Sequence, residues 1–217
     1  MQFSVSWFRF LDRLPLCVSI KTKCELHKLM KKIRNFIENI APMNDVDWQF
    51  FSSKFEAVKL KRKTIFLKEG EVENYISFIK SGITRLYIPR EENSLTVSFI
   101  FENQFVTDYD SFLTRAPSTC QIETLTDTTL WRISYKDLQE IYEKTDNGNL
   151  IGRKIAETIY IAKSERERAL LSKTPEELYL NLFTARPKII KQIPLKYIAS
   201  FIGITPQALS RIRKRIS

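Results

Sequence analysis

The chain ends in Pro194-Leu-Lys-Tyr-Ile-Ala-Ser-Phe-Ile-Gly-Ile-Thr-Pro-Gln-Ala-Leu-Ser-Arg-Ile-Arg-Lys-Arg-Ile-Ser217, a stretch that predicts two short helices packed at a steep angle. Ala199 is small enough to let the second helix approach the first, and Gly203 can adopt the positive φ of a tight turn. Thr205 suits a helix N-cap, and Pro206 suits the first helical turn because no N–H is needed there. Apolar residues on both sides of the turn are expected to be buried: Ile198, Ile202, Ile204, Leu209 and Ile212.

The outward face of the second predicted helix is polar and basic. Such a helix reads base edges when its N-terminal part enters the major groove of DNA. Arg211 can donate two parallel hydrogen bonds to guanine, and Gln207 suits adenine, whereas lysines and later arginines better neutralise phosphates. A plain helical hairpin with a solvated basic face is the alternative interpretation. The candidate DNA-binding residues are Thr205, Gln207, Ala208, Ser210, Arg211, Arg213, Lys214 and Lys196.

Charge is distributed unevenly along the 217 residues, which carry a formal net charge of +10. From Arg186 to the end there are eight lysines and arginines and no acidic residue, whereas acidic residues outnumber basic ones from Glu91 to Asp146. A basic end on an acidic-to-neutral body is typical of proteins that bind nucleic acid.

Short β-branched and aromatic runs recur between about Phe50 and Ile141, with turn-forming residues between them. Many short strands at close spacing predict an antiparallel sandwich or barrel. The predicted strands are Thr64–Leu67, Tyr75–Lys80, Ile83–Ile88, Leu95–Phe101, Gln121–Leu125 and Thr129–Ile133.

A long helix is predicted from about Asn147 to Leu171, and Thr174-Pro-Glu-Glu177 has the residues of a capping box that starts another helix. About 25 residues span about 37 Å at 1.5 Å per residue. A helix of that length either crosses between domains or pairs with a copy of itself in a dimer. Its apolar seam is expected from Ile151, Ile155, Ile159, Ala162 and Ala169.

Residues 1–29 carry clustered aromatic side chains with no clear period, and an amphipathic helix opens at Met30. Two interpretations stay open: a genuine N-terminal extension, or a start-site artefact upstream of a natural product that begins at Met30. Charges at Arg9, Asp12 and Arg13 interrupt any signal-peptide core, and no stretch approaches the roughly 18 apolar residues of a membrane span. We therefore expect a cytoplasmic protein with no membrane partner.

Several function classes have little support in the composition, which is that of an ordinary folded protein with 43% apolar and 28% charged residues. The sole histidine, His27, lacks the neighbours of a metal or haem site, and there is no Ser-His pair or glycine-rich phosphate loop. An iron–sulfur cluster needs four cysteine ligands. The three scattered cysteines, Cys17, Cys24 and Cys120, indicate reduced thiols instead. We expect no catalytic residue, no metal and no cofactor.

From about Ile33 to Ser217 the chain resembles the Crp/Fnr family of bacterial regulators. Two motifs carry the resemblance, Leu67-Lys-Glu-Gly-Glu71 and Ile79-Lys-Ser-Gly-Ile-Thr-Arg-Leu-Tyr87, together with the long helix and the terminal helices in family order. The stretch from Ile193 to Arg213 is similar to a subgroup common in Bacteroidetes. The resemblance implies an α+β fold: an antiparallel β-roll like that of cyclic-nucleotide-binding domains, a long dimerisation helix, and an all-α helix-turn-helix domain of an abbreviated winged type.

The resemblance divides the chain into the segment 1–29, a sensor β-roll at 30–145, a central dimerisation helix at 146–172 and a helix-turn-helix domain at 173–217. It implies a homodimer that reads a palindromic operator in double-stranded DNA, and RNA polymerase is a candidate further partner. Thr205, Gln207, Ser210 and Arg211 occupy the family's DNA-contacting positions. Pro206 stands where many relatives carry an arginine, and Gln207 replaces a frequent glutamate, so we expect a different operator. The segment from 186 to 193 is too short for a full wing hairpin.

The effector site departs from the family pattern. Cyclic-nucleotide binders use a Gly-Glu pair and an Arg-Ser or Arg-Thr pair, whereas this chain has Thr107 and Asp108, then Ser118 and Thr119 without the arginine. A buried phosphate without its bidentate cation loses its strongest partner, so we predict no tight binding of cyclic AMP. The four residues either line a pocket for an unidentified effector or belong to a ligand-free roll. The alternative function is a sensor or protein-interaction module without productive DNA binding.

Overall fold

The computed structural model describes residues 30–91 and 93–216. The segment 1–29, with Cys17, Cys24 and His27, lies outside the described residues. Residues 30–38 are helical, as the amphipathic pattern predicted, and Ile33 and Ile37 on one face of this helix are buried. No helix in the described ranges is both long and apolar enough to cross a membrane.

In the part of the chain that the structure describes, eight strands form two four-stranded sheets in which every pair of neighbours is antiparallel. One sheet has the order β1-β8-β3-β6 and the other β2-β7-β4-β5. This is the predicted antiparallel β-roll. The strands are β1 (Glu56–Leu60), β2 (Ile65–Leu67), β3 (Tyr75–Ser81), β4 (Thr84–Ile88), β5 (Leu95–Ile100), β6 (Phe105–Val106), β7 (Gln121–Thr124) and β8 (Thr128–Ser134).

Helices precede, interrupt and follow the strands of the β-roll. The predicted long helix is confirmed to within a residue at each end, and the capping box between Thr174 and Glu177 is present. The helices are α1 (residues 30–38), α2 (Asp45–Ser53), α3 (Tyr109–Thr114), α4 (Tyr135–Lys144), α5 (Gly148–Ser172), α6 (Pro175–Ala185), α7 (Pro187–Gln192), α8 (Leu195–Ile202) and α9 (Pro206–Ile216).

Some elements differ from the sequence predictions. The strand-rich region was drawn too wide, since α2 extends to Ser53 and residues 135–144 are helical. β1 was missed because none of its five side chains is buried, and β6 because two residues carry no periodicity. The segment interpreted as a shortened wing forms the helix α7. Pro187 lies in the first turn of this helix, a position that suits proline. Ala162, a member of the apolar seam expected on α5, is exposed in the single chain.

The buried apolar side chains among the described residues form three clusters. One lies between the two sheets, and a second packs α1, α2, α4 and the start of α5 against the β-roll. The third joins the β-roll to the C-terminal helices, and we call it the joint core. Its buried members are Ile83, Phe99 and Phe101 from the β-roll, with Tyr179, Leu182, Ile189, Ile193, Ile198, Ala199, Phe201, Ile202 and Leu209 from the helices.

Candidate nucleic-acid interface and effector site

α8 and α9, the terminal helix pair, are joined by the predicted tight turn. Gly203 ends α8 with a φ of +90°, and its N–H and that of Ile204 both donate to the carbonyl oxygen of Ala199 at 3.0 Å. Thr205 caps α9, since its Oγ1 accepts a hydrogen bond from the N–H of Ala208 at 3.2 Å. Ala199 is fully buried. The predicted roles of the alanine, the glycine and the threonine are therefore confirmed.

α9 has one buried side and one exposed side. Leu209 is fully buried in the joint core, where Ile212 and Ile216 pack beside it. Gln207, Arg211 and Lys214 follow one another at helical spacing and are all exposed. Of the other candidate residues, Ala208 and Ser210 are half-buried, whereas Thr205, Arg213 and Lys196 on α8 are exposed.

The exposed side of α9 is cationic. The helix contains four basic residues and no acidic one. Arg215 donates to the Glu176 carboxylate on α6, whereas the side chains of Arg211 and Lys214 form no hydrogen bond or ion pair with any residue in 30–91 or 93–216. These two charges are thus available to a polyanion.

A buried arginine connects the β-roll to α8. Arg85 on β4 is only 2% exposed, and its Nη1 lies 2.8 Å from Oε1 of Glu123 on the paired strand β7. Its Nε donates to Thr96 Oγ1 at 2.9 Å, and its Cζ lies 4.3 Å from the ring centroid of Tyr197 on α8. The hydroxyl of Ser200 on α8 accepts from the N–H of Thr96 at 2.8 Å.

We call these five residues the Arg85 junction. Sequence reasoning missed it, because an arginine inside a strand usually marks a solvent-facing position. The one available signal was its place within the Ile79–Tyr87 motif.

The candidate effector residues are only partly brought together. The Ser118 hydroxyl donates to Asp108 Oδ2 at 2.6 Å, and both residues are buried. Thr119 is exposed, while the hydroxyl of Thr107 is buried with no hydrogen-bond partner among the residues that the structure describes. Asp108 and Ser118 therefore use part of their hydrogen-bonding capacity on each other.

A second carboxylate, which sequence reasoning missed, lies near this pair. Glu73 is 6% exposed, and its Oε1 accepts from the N–H of Tyr75 at 2.9 Å. Burial raises the pKa of Glu73 to about 7, and the negative charge of Asp108 also acts to raise it. Arg115 lies close by, but its guanidinium donates to the carbonyl oxygens of Glu73 and Phe112. The site therefore holds two buried carboxylates, and the Arg115 guanidinium beside it is engaged by carbonyl oxygens.

Residues 57–145 match the family model of the cyclic nucleotide-binding domain. A search of curated proteins finds no match. Among solved structures, the chain is similar to a CooA variant from Carboxydothermus hydrogenoformans, with 17% identity, a TM-score of 0.59, and 75% of this chain and 76% of that one covered.

Two further structures have a similar arrangement over a larger share of the chain. The catabolite activator protein of Thermus thermophilus has 16% identity and a TM-score of 0.51, covering 82% of this chain and 85% of its own. The c-di-GMP-responsive global regulator CLP of Xanthomonas campestris has 14% identity and a TM-score of 0.61, covering 80% and 91%. Residues 57–145 thus match the cyclic nucleotide-binding domain, and the chain has a fold similar to that of these regulators, in line with the Crp/Fnr family that its sequence resembles.

Proposed function

We propose that this protein is a sequence-specific DNA-binding transcription regulator of the Crp/Fnr type, with α9 as its recognition helix. The observation that carries the proposal is the exposed stripe of Gln207, Arg211 and Lys214 on a capped helix whose opposite side is anchored by Leu209. Such a helix presents bidentate donors to a major groove while its buried side keeps it rigid. The likeness of fold to the catabolite activator protein supports the same function.

In this proposal residues 30–145 form a sensor domain, 146–172 the dimerisation helix and 173–217 the DNA-binding domain. The homodimer is supported by large apolar side chains that α5 leaves exposed: Tyr160 is 73% exposed and Leu171 82%, with Ile161 and Leu170 also exposed. A helix paired with its own copy would bury such residues. A regulator of this kind acts in the cytoplasm, and contact with RNA polymerase is part of the same proposal.

Selection of bound sites from random DNA, followed by mobility shifts over a salt series, tests this function. We expect a palindromic site, because a two-fold dimer reads two half-sites. Affinity should fall steeply with salt, by about 0.9 in log–log slope for each phosphate neutralised. Equal affinity for the selected and the scrambled duplex would instead favour a sensor or interaction module that does not read DNA.

Replacing Arg211 with alanine should cost about 1–3 kcal/mol of binding to the selected site and relax the preference at one base pair, as for a lost bidentate contact with guanine. The matched change is Lys214→Ala, which removes a charge one turn further along the exposed side of the same helix. That variant should weaken binding equally on all sequences and lower the salt slope by about 1. A loss from Arg211→Ala that is equal on all sequences would place its contact on a phosphate.

Cyclic AMP should not bind tightly to the β-roll. The Asp108 and Glu73 carboxylates are buried close together, and neither Asp108 nor Ser118 forms a hydrogen bond or ion pair with an arginine within the described ranges. A phosphate brought there would meet negative charge and no bidentate cation. Calorimetric titration of the full chain with cyclic AMP should give no saturable heat, and micromolar binding would overturn this prediction.

A further inference from the structure

Two arginines from different parts of the chain converge on one aromatic ring of α8. Arg166 lies in α5, and Arg186 lies between α6 and α7. Their Cζ atoms are 3.8 Å and 5.8 Å from the ring centroid of Phe201, on the end of α8 that Tyr197 does not occupy. Three segments of the protein therefore meet at this arginine pair: the long helix, the linker before α7, and the terminal helix pair.

Within residues 30–91 and 93–216 each guanidinium makes one hydrogen bond, and in both cases the acceptor is a backbone carbonyl. Arg166 Nη2 donates to the oxygen of Phe201 at 2.9 Å, and Arg186 Nη2 donates to the oxygen of Phe99 at 3.1 Å. A guanidinium has five N–H donors, so most of the donors of both side chains are unused by the described chain. Neither arginine forms an ion pair with any acidic residue in 30–91 or 93–216.

The positive charge at this point is partly dehydrated and is not compensated by any acidic residue that the structure describes. Both residues are half-buried. Burial lowers the pKa of Arg166 to about 10, with the like charge of Arg186 acting in the same direction, and burial also lowers the pKa of Arg186. Arg85, the other arginine in contact with α8, has Glu123 as its counter-charge. Charges that are removed from water in proteins are ordinarily paired, whereas this half-buried arginine pair has no acidic partner in residues 30–91 or 93–216.

We propose that Arg166 and Arg186 form a binding site for a phosphate group at the junction of α5, the β-roll and the terminal helix pair. Two planar guanidinium groups match the geometry and charge of a phosphate, because each can donate two parallel hydrogen bonds to its oxygens. The phosphate is either free or carried by a nucleotide. This site is separate from the acidic Asp108–Ser118 pair, and it does not depend on DNA binding.

The position of the site also gives the anion an effect on the fold. A phosphate that bridges Arg166 to Arg186 would link the long helix to the segment that leads into the terminal helix pair. Because it would bind the arrangement in which α8 is docked and not the unfolded chain, it would stabilise that arrangement by mass action. The ligand would therefore favour one orientation of α9 relative to α5.

Thermal unfolding and calorimetry of the full chain test the proposal with inorganic phosphate and with adenosine monophosphate, each against sodium chloride of equal ionic strength. Phosphate should raise the melting temperature where chloride does not. Arg166→Gln and Arg186→Gln should each weaken phosphate binding by about tenfold or more, as expected for the loss of charge-assisted hydrogen bonds. Arg168→Gln, an exposed arginine on the same helix, is the control and should leave binding unchanged.

The two probes distinguish the source of the phosphate, since tighter binding of adenosine monophosphate indicates a nucleotide and equal binding indicates free phosphate. Wild-type protein supplies a readout that does not depend on how the variants fold. In it, phosphate should shift two arginine Nε–Hε resonances that chloride leaves in place. A phosphate response that chloride reproduces, that survives in the Arg166→Gln/Arg186→Gln double variant, or that moves no arginine resonance would overturn the proposal.

Discussion

Replacing Arg85 with alanine should destabilise the protein by about 3–5 kcal/mol, the cost of leaving one member of a buried ion pair without its partner. The Arg85 guanidinium is buried between the rings of Tyr87 and Tyr197, with Cζ 4.2 Å and 4.3 Å from their centroids. Removing it leaves the largely buried Glu123 carboxylate without its counter-charge. Urea unfolding of the two proteins, followed by circular dichroism, measures the difference.

Arg132→Ala is the matched control. Arg132 also pairs with a glutamate across a strand pair, Glu56, and lies over the Tyr75 ring, but its pair is substantially exposed to solvent. An exposed pair contributes about 0–1 kcal/mol, so the control should lose far less stability. A second comparison removes both charges: Arg85→Met with Glu123→Leu should be less damaging than Arg85→Ala alone, since no unpaired charge remains. If Arg85→Ala and Arg132→Ala lowered the free energy of unfolding equally, the cost assigned to the unpaired, buried Glu123 would be contradicted.

The Arg85 junction is a feature of the fold that sequence patterns could not reveal. Strand periodicity located most of β4 and β5, but it could not show that an arginine in β4 points into an interface. That orientation depends on Glu123, 38 residues away, and on Tyr197 and Ser200 in another part of the fold. Buried polar networks are assembled from distant segments, and a single sequence carries no record of the distance between them.

Local rules succeeded where the determining atoms are close in the chain. The turn at Gly203 and the cap at Thr205 depend on neighbours within four residues, and both were predicted correctly. The same distinction holds at the effector site. Asp108 and Ser118 were named as candidate effector residues through the family resemblance, and the structure pairs them, whereas Glu73 belongs to a loop before β3 and became visible only through its burial.

Phe99→Ala should cost about 3–5 kcal/mol, because it deletes a fully buried phenyl ring and leaves a cavity. Phe99 belongs to β5, yet its ring centroid lies 5.4 Å from that of Phe201 on α8, and both are members of the joint core. The cavity therefore opens between the β-roll and the terminal helix pair. We expect amide hydrogen exchange in α8 and α9 to become faster under native conditions. The helix pair would lose its main apolar contact with the β-roll and would therefore open locally more often.

Phe112→Ala is the control that tests whether the faster exchange depends on the joint core. Phe112 is 1% exposed, but it packs in the cluster that contains α1, α2 and α4, away from α8. The two variants should therefore lose similar free energies of unfolding, while only Phe99→Ala loosens α8 and α9. If Phe112→Ala accelerated exchange there equally, the terminal helix pair would be responding to global stability, and the joint core would not be its specific anchor. If the two variants differ as expected, the β-roll controls the mobility of the recognition helix through a shared apolar core, and a change in the β-roll can reach α9 without any contact with DNA.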